Sequence, residues 1–145
     1  MEKGLNRKAD WQIEQDTMNQ SNAKTQLMQF LDVDIETQDN FSIWDWEFYR
    51  HGKLLALGEY RRRFNSSTAY PDFIFSKKKF DILESKGIEH GVPCLFFVEF
   101  DDIFLYFPVA GKYPTRIVRR RHEVREEECV CIAPDSFLYV NGLNL

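Results

Sequence analysis

Two acidic side chains in neighbouring strand-like segments could bind a divalent metal ion, and a cation lies close to them in the sequence. Asp45 lies in the first segment, and Glu59 and Arg61 lie in the second. Carboxylate oxygens are the ligands that hard divalent cations prefer. Because successive side chains of a strand point to opposite faces, Asp45 and Glu59 meet only if the turn has the right length. We predict a three-residue turn that ends at Gly52 and places the three charges on one face, whereas a two-residue turn would separate them.

Other roles are open to the same residues. Glu47 shares the strand face of Asp45 and competes with it as a metal ligand. Alternatively, Asp45 and Glu59 are ordinary strand residues paired with Arg61 or Arg50. The neighbouring tryptophan and leucine residues favour partial burial of the two acids, which would then need a partner, and a metal ion is one such partner.

The hydrophobic pattern predicts the elements that position these residues. Apolar residues occur on both faces of the hairpin, which indicates a sheet covered on both sides by helices, and so an α/β fold. Ser76 can cap a helix and Gly91 can end it. The predicted elements are a helix at about 6–31, a linker at 32–40, strands at 41–49 and 53–61, a loop at 65–71, a helix from 76 to about 90, and strands at 93–100, 104–109 and 129–133.

Length and composition indicate one globular domain. The chain has 145 residues, of which 43% are apolar and 15% aromatic, with 13 phenylalanines. This composition excludes a disordered protein, and no apolar run reaches the roughly 20 residues that a membrane helix needs. We therefore expect a single cytoplasmic domain without a membrane partner, in which residues 1–40 form a helix and linker and residues 41–145 form the core.

Cysteine and histidine show no metal-binding spacing. Cys94, Cys129 and Cys131 cannot all pair with one another, and none belongs to a Cys-x-x-Cys motif. Buried free thiols in a reducing compartment are the expected state. The three histidines are scattered, so we expect surface or loop positions for them.

Basic residues form three short clusters despite a net charge of −4. Such clusters can bind phosphates even in an acidic protein, although each one alone could be a solvated loop or helix end. Tyr70, in the predicted loop, could contact a nucleic acid as well. The candidate nucleic-acid-binding residues are Arg62, Arg63, Tyr70, Lys77, Lys78, Arg119, Arg120 and Arg121.

The order of helix, hairpin, helix, hairpin and strand resembles the PD-(D/E)xK nuclease superfamily. Asp45 matches the first acid of that pattern, and Glu59-Tyr60-Arg61 matches the Glu-x-Lys position, with Arg61 in place of the usual lysine. Two further stretches, at 70–80 and 120–137, are similar to small phage and bacterial members. The resemblance covers about 41–137 and implies a mixed central sheet flanked by helices, with a restriction-endonuclease-like core.

The resemblance implies a metal-dependent nuclease that hydrolyses phosphodiester bonds in DNA or RNA. Mg²⁺ or Mn²⁺ would be held by Asp45, Glu59 and the backbone carbonyl of Tyr60, and Glu14 of the first helix could add a carboxylate. Arg61 can supply positive charge but cannot act as a base. Either Arg61 serves directly, or a lysine has taken over, for which the sequence offers Lys79, Lys77 and Lys53.

Two other classes of function stay open. The missing lysine is compatible with an inactive nuclease-fold protein that binds nucleic acid or a protein partner. Small size and negative charge are compatible with a decoy that inhibits a host protein. A homodimer would suit an enzyme that cuts both strands of a duplex.

Overall fold

The computed structural model describes residues 10–119 and 125–145. They form two helices, nine strands and two short 3₁₀ turns. The bounds are α1 Asp10–Phe30, β1 Asp34–Thr37, β2 Trp46–Arg50, β3 Lys53–Arg62, β4 Phe73–Ser76, α2 Lys77–His90, β5 Cys94–Glu99, β6 Phe104–Pro108, β7 Thr115–Arg119, β8 Glu126–Ile132 and β9 Leu138–Tyr139, with 3₁₀ turns at Pro134–Ser136 and Val140–Gly142.

A six-stranded mixed sheet forms the centre of the molecule. Its strand order is β1-β2-β3-β5-β6-β9, and β3 and β5 are its parallel pair. Parallel neighbours need a crossover connection, which here runs through β4 and α2. A second, antiparallel sheet has the order β4-β8-β7. The predicted α/β class with a mixed central sheet is confirmed.

Both faces of the central sheet are buried, each against a different layer. Ala23 and Leu27 of α1 pack with Trp46 and Phe48 on one face. On the other face, Phe80 and Leu83 of α2 belong to a second cluster, together with residues of the three-stranded sheet. The sequence predicts helices on both faces but not the second sheet, which shares the α2 face.

The hairpin between β2 and β3 differs from the prediction in its turn and agrees with it in its outcome. The turn has two residues, His51 and Gly52, with φ values of 51° and 78°. Two positive φ values match the strand twist of a tight hairpin. Tyr49 pairs with Leu54 and Phe48 with Ala56, so Leu55 is an extra residue in a β-bulge. The predicted three-residue turn is therefore wrong. The extra residue in the bulge shifts the register by one position, as the longer turn would have done, and Asp45 comes to lie opposite Glu59.

Several element boundaries also differ from the prediction. Strand β2 begins at Trp46, and Phe41 in the predicted strand is 96% exposed. The predicted linker contains β1, an edge strand antiparallel to β2. Strands β4, β7 and β9 were not predicted, and β8 begins at Glu126 because its first residues pair with β7. Short strands with exposed, charged residues have too little apolar alternation to be recognised in sequence.

The predicted cap and end of α2 and the predicted buried free thiols are confirmed. Helix α2 is capped by the hydroxyl of Ser76, and Gly91 ends it with a left-handed φ of 70°. The three cysteines are free and buried, and burial raises the pKa of Cys94 to about 12, so this thiol stays protonated. No helix in the described ranges is long and apolar enough to cross a membrane.

Candidate active site

Glu59 is a buried carboxylate in the middle of the central sheet. Its side chain is 1% exposed, and it is the one charged residue in the described core. No neutral donor among the described residues contacts either carboxylate oxygen. Two cations lie close to it instead. Lys79 Nζ is 2.5 Å and Arg61 Nη1 is 3.2 Å from Glu59 Oε2. A buried carboxylate whose partners among the described residues are two cations is costly to desolvate.

The environment of Glu59 raises its pKa to about 7. Burial is the main cause, because it disfavours the charged form, and the negative charge of Asp45 is the second. Arg61 and Lys79 act in the opposite direction and lower the pKa. The effect of Asp45 on this pKa indicates that the two acids share one electrostatic environment.

Asp45 lies directly before β2 and is held against β3 by its backbone and its side chain. Its N–H donates to the Gly58 carbonyl at 2.9 Å. Its Oδ2 accepts a hydrogen bond from the backbone N–H of Tyr60, also at 2.9 Å. The Asp45 carboxylate is thereby fixed beside the peptide that joins Glu59 to Tyr60. This arrangement agrees with the prediction that Asp45 and Glu59 lie on the same face of the sheet.

Arg61 contacts two of the groups that the sequence assigns to a metal ion. Its Nη1 donates to the Tyr60 carbonyl at 3.1 Å and lies 3.2 Å from the Glu59 carboxylate. Its guanidinium also lies over the Phe96 ring, 5.9 Å from the centroid. The guanidinium thus bridges the proposed ligands Glu59 and Tyr60, and a metal ion at these oxygens would displace it.

Of the three candidate lysines, the structure brings Lys79 to the acids. It lies in the first turn of α2, where its N–H donates to Ser76 Oγ. A cation at a helix N-terminus is opposed by the helix dipole, which Glu59 offsets. Lys77 pairs with Asp81 at 2.5 Å on the surface of the same helix. Lys53 lies opposite Arg50 in the register of β2 and β3. It is beside the turn, at the opposite end of β3 from the acids.

Glu47 is engaged in hydrogen bonds of its own. Its two carboxylate oxygens accept from Trp44 Nε1 at 2.8 Å and from the Tyr49 hydroxyl at 2.6 Å. The second bond raises the pKa of Tyr49 to about 12. These bonds favour a structural role for Glu47 over that of a competing ligand.

A cavity of about 420 Å³ opens beside Asp45, and we call it the Asp45 cavity. Its walls combine polar residues of α1 with three consecutive arginines at the end of β3. Each guanidinium of this run lies over an aromatic ring: Arg61 over Phe96, Arg62 over Phe64 at 4.3 Å, and Arg63 over Phe73 at 4.9 Å. The residues lining the cavity are Asp16, Asn19, Gln20, Asp45, Tyr60, Arg61, Arg62, Arg63 and Phe64.

Helix α1 presents Asp16 to this cavity, whereas Glu14 is exposed and is not among the lining residues. Asp16 precedes the buried Ala23 by two helical turns, so both lie on the same face. Glu14 is on the opposite side of the helix by the same geometry. The spacing to Ala23 was therefore the signal that could have distinguished Asp16 in the sequence.

The donor groups at the site fit a hard cation. No group of three or more His, Cys, Asp or Glu side chains converges within residues 10–119 and 125–145. The candidate ligands are instead two carboxylates and a backbone carbonyl, which are all oxygen donors and suit Mg²⁺ or Mn²⁺. Glu59 Oε1 has no hydrogen-bond partner among the described residues and could ligate such an ion.

The remaining candidate residues are dispersed around this centre. Arg62 pairs with Asp101 at 2.7 Å. Lys78 is exposed on α2, and Tyr70 is 65% exposed in the loop after β3. Arg119 ends β7 and pairs in register with Glu126. Arg120, Arg121 and His122 lie outside the described residues.

Comparison with protein families assigns the chain. Residues 6–128 match the family described as "Phage putative PDDEXK endonuclease". The chain belongs to this phage PDDEXK endonuclease family. The match spans most of the sequence and includes both acids and Lys79, so the site described above lies inside the family's region.

One solved structure is similar to that of this chain. Hjc of Archaeoglobus fulgidus, a Holliday junction resolvase from an archaeal hyperthermophile, has a similar structure with a TM-score of 0.57 and 12% sequence identity. The similarity covers 83% of this chain and 96% of that one. It shows a shared restriction-endonuclease-like fold. No curated protein matches the sequence.

Proposed function

We propose that this PDDEXK endonuclease hydrolyses phosphodiester bonds in DNA with a divalent metal ion bound at Asp45 and Glu59. The observation that carries the proposal is the buried Glu59 carboxylate, whose partners among the described residues are two cations, Lys79 at 2.5 Å and Arg61 at 3.2 Å. A structural ion pair would normally satisfy its oxygens with further hydrogen bonds. An acid kept in this state beside a second acid is suited to ligating a cation.

Asp45, Glu59 and the carbonyl of Tyr60 would hold Mg²⁺ or Mn²⁺. When bound, such an ion lowers the pKa of a ligated water and stabilises negative charge on the phosphate. Asp45 is kept in place by the Tyr60 N–H, so one ligand is already oriented. Asp16 is placed in the same cavity, and we propose it, rather than Glu14, as the acid that α1 contributes near the metal.

Lys79 is proposed to take the role of the lysine that Arg61 replaces. Its ammonium group is close enough to Glu59 to reach a water or a phosphate oxygen beside the acids. A fixed cation there offsets the charge that develops on the phosphate during hydrolysis. Arg61, which stays protonated, would move from Glu59 and Tyr60 towards the phosphate when a cation binds.

The arginines of the Asp45 cavity are proposed to hold the phosphate backbone. Arg61, Arg62 and Arg63 line the cavity together with Asp45, so three cations and one of the two proposed metal-binding acids border the same space. Phosphate contacts of this kind position a nucleic acid without reading its sequence. Lys78 and Arg119 are exposed cations further out that could extend the contact.

Cleavage of DNA by the purified protein, with and without Mg²⁺ or Mn²⁺, tests the proposal. We expect metal-dependent cleavage that is abolished in Asp45→Ala and in Glu59→Ala. Asp34→Asn is the matched control, because Asp34 is an exposed aspartate on β1, away from the site. Activity retained in both site variants, at the level of the control, would contradict the proposal.

An inactive nuclease-fold protein is the second candidate, and Arg61 at the lysine position is the observation that favours it. Metal titration by calorimetry separates the two candidates. The enzyme should bind Mg²⁺ or Mn²⁺ and lose that binding in Asp45→Ala. A binding module that keeps Arg61 on Glu59 should show no binding heat in either form.

A further inference from the structure

Arg63 lines a second cavity in addition to the Asp45 cavity. This cavity has a volume of about 290 Å³ and lies under the loop that follows β3. Its volume is near the lower end of the range for small-ligand pockets, about 300 to 1,000 Å³. We call it the Tyr70 cavity, and its main apolar walls are Tyr70, Phe73, Phe100, Ile132 and Phe137. A group held there would be next to the arginines that lie beside Asp45.

The aromatic walls of the Tyr70 cavity are packed against one another. Phe137 packs edge-on against Phe73 at 6.2 Å, Phe100 at 5.9 Å and Phe107 at 5.5 Å between ring centroids. Tyr70 stands at the opening with 65% of its surface exposed. Fixed rings around an exposed ring suit a flat aromatic ligand, which can stack without disturbing the core.

One wall carries a paired donor and acceptor. Arg116 Nη1 and Nη2 donate to the two Asp72 oxygens at 2.9 Å and 3.4 Å. This pairing cancels the charge of Asp72, so an anionic ligand is not repelled by it. Carboxylates accept hydrogen bonds from base amino groups, and guanidinium groups donate to base carbonyl and ring nitrogen atoms. The pair therefore offers both kinds of contact that a base edge needs.

The loop that carries Tyr70 is held in place before any ligand arrives. Asp102 accepts hydrogen bonds from the Ser67 N–H at 2.8 Å and the Ser67 hydroxyl at 2.7 Å, and these bonds lower the pKa of Asp102. The Asp101 N–H donates to the Asn65 carbonyl at 3.0 Å. A preformed loop reduces the entropy that ligand binding must overcome.

We infer that the Tyr70 cavity receives an unpaired nucleobase of the DNA, so that the substrate class is DNA with an extruded or single-stranded nucleotide next to the cut. This inference rests on the proposed nuclease function and specifies its substrate. The base stacks on Tyr70 and meets Asp72 and Arg116 at its edge. Arg63, which lines both cavities, contacts the phosphate that connects this base to the acid pair.

Cleavage of two duplexes of the same sequence, one fully paired and one with a single unpaired nucleotide, tests the inference. We expect the wild type to cut the duplex with the unpaired nucleotide about 5- to 150-fold faster, the size that stacking of one base on an aromatic ring contributes. Tyr70→Ala should reduce this ratio of rates towards one, whereas Tyr70→Trp should keep it near the wild-type value. Tyr139→Ala is the matched control, because Tyr139 has the same 65% exposure but lies on edge strand β9.

A binding measurement separates failure of this inference from failure of the nuclease proposal. In the Asp45→Ala background, a duplex whose unpaired base is 2-aminopurine should lose fluorescence when the protein is added, because the base stacks on Tyr70. That loss should disappear when Tyr70→Ala is also present. Equal cutting of both duplexes, with no Tyr70-dependent fluorescence change, overturns the base-binding inference and leaves the nuclease proposal intact. A Tyr70-dependent fluorescence change without metal-dependent cutting supports base binding and overturns the nuclease proposal.

Discussion

The ammonium group of Lys79, in the first turn of α2, lies 2.5 Å from the buried carboxylate of Glu59 on β3. The two residues are joined by the crossover that makes β3 and β5 parallel, so this contact depends on the topology of the sheet. The ends of β4 and α2 meet at Ser76, whose hydroxyl caps the helix and fixes the position of Lys79. The crossover therefore supplies the lysine that β3 lacks, because β3 has Arg61 at the usual lysine position.

Loss of the Lys79 charge should impair cleavage without unfolding the protein. We expect Lys79→Met to reduce the cleavage rate by about 100- to 1,000-fold, as removal of one fixed donor near a developing negative charge does in other enzymes. Lys86→Met is the control, because Lys86 lies on the same helix and pairs with Glu89 at 3.5 Å, away from the acids. Single-turnover cleavage at saturating Mg²⁺ measures the effect. Equal rates for the two variants would show that Lys79 is a structural partner of Glu59.

The stability of the metal-free protein should decrease as the pH rises from about 4.5 to about 7, through the contribution of Glu59. The folded protein keeps the proton on Glu59 up to a pKa of about 7, whereas the unfolded chain loses it near the ordinary carboxyl pKa of 4.5. The folded state thus binds more protons in this window, so the contribution is fully present below pH 4.5 and is lost as the pH passes 7. The shift corresponds to about 3 kcal/mol in the free energy of unfolding.

Urea unfolding in the presence of a chelator, from pH 4.5 to 8, measures this contribution as the difference between wild type and Glu59→Gln. The glutamine variant cannot titrate at this position. Its free energy of unfolding relative to that of the wild type should therefore increase with pH and level off above 7. Groups that do not interact with Glu59 titrate equally in both proteins and cancel. A difference that stays constant over the whole range would contradict the raised pKa.

Gly58 should not tolerate a side chain. A Cβ at this position would lie 2.8 Å from Cε1 of Phe48 and 3.3 Å from Cβ of Trp46, both in the α1-facing core. Overpacking of this kind costs about 1 to 3 kcal/mol, and we expect Gly58→Ala to lower the stability by that amount. Thermal unfolding followed by circular dichroism measures it. Gly142→Ala is the control, since a Cβ there meets no atom within 4 Å, and equal losses would refute the steric explanation.

The sequence predicts the elements whose signals are local. Ser76 and Gly91 define α2 because capping chemistry acts over a few residues. Strands β7 and β9 were missed because their residues are mostly exposed and their pairing partners are distant in sequence. The second sheet was therefore beyond the reach of sequence patterns, although it covers much of the α2 face.

The candidate site could be predicted only in part for the same reason. Asp45 and Glu59 belong to one hairpin. The alternation of strand side chains between the two sheet faces could therefore predict that the two acids lie on the same face. The choice of Lys79 over Lys77 and Lys53 depends on how α2 crosses the sheet, which no local pattern contains. The cavity beside Tyr70 is lined by the loop after β3, by residues of β4, β7 and β8, and by the chain after β8, and no spacing in the sequence indicated it.

The bulge at Leu55 has a consequence for how such a protein can diverge. Leu55 and Ala56 both pack towards α1, and the pairs from Phe48–Ala56 to Trp46–Gly58 lie between this irregularity and the acids. These pairs, rather than the tip of the hairpin, fix the alignment of Asp45 with Glu59. The gain or loss of one residue at the tip can be compensated by loss or gain of the bulge residue. The hairpin can therefore change length between related sequences while Asp45 and Glu59 stay on the same face of the sheet.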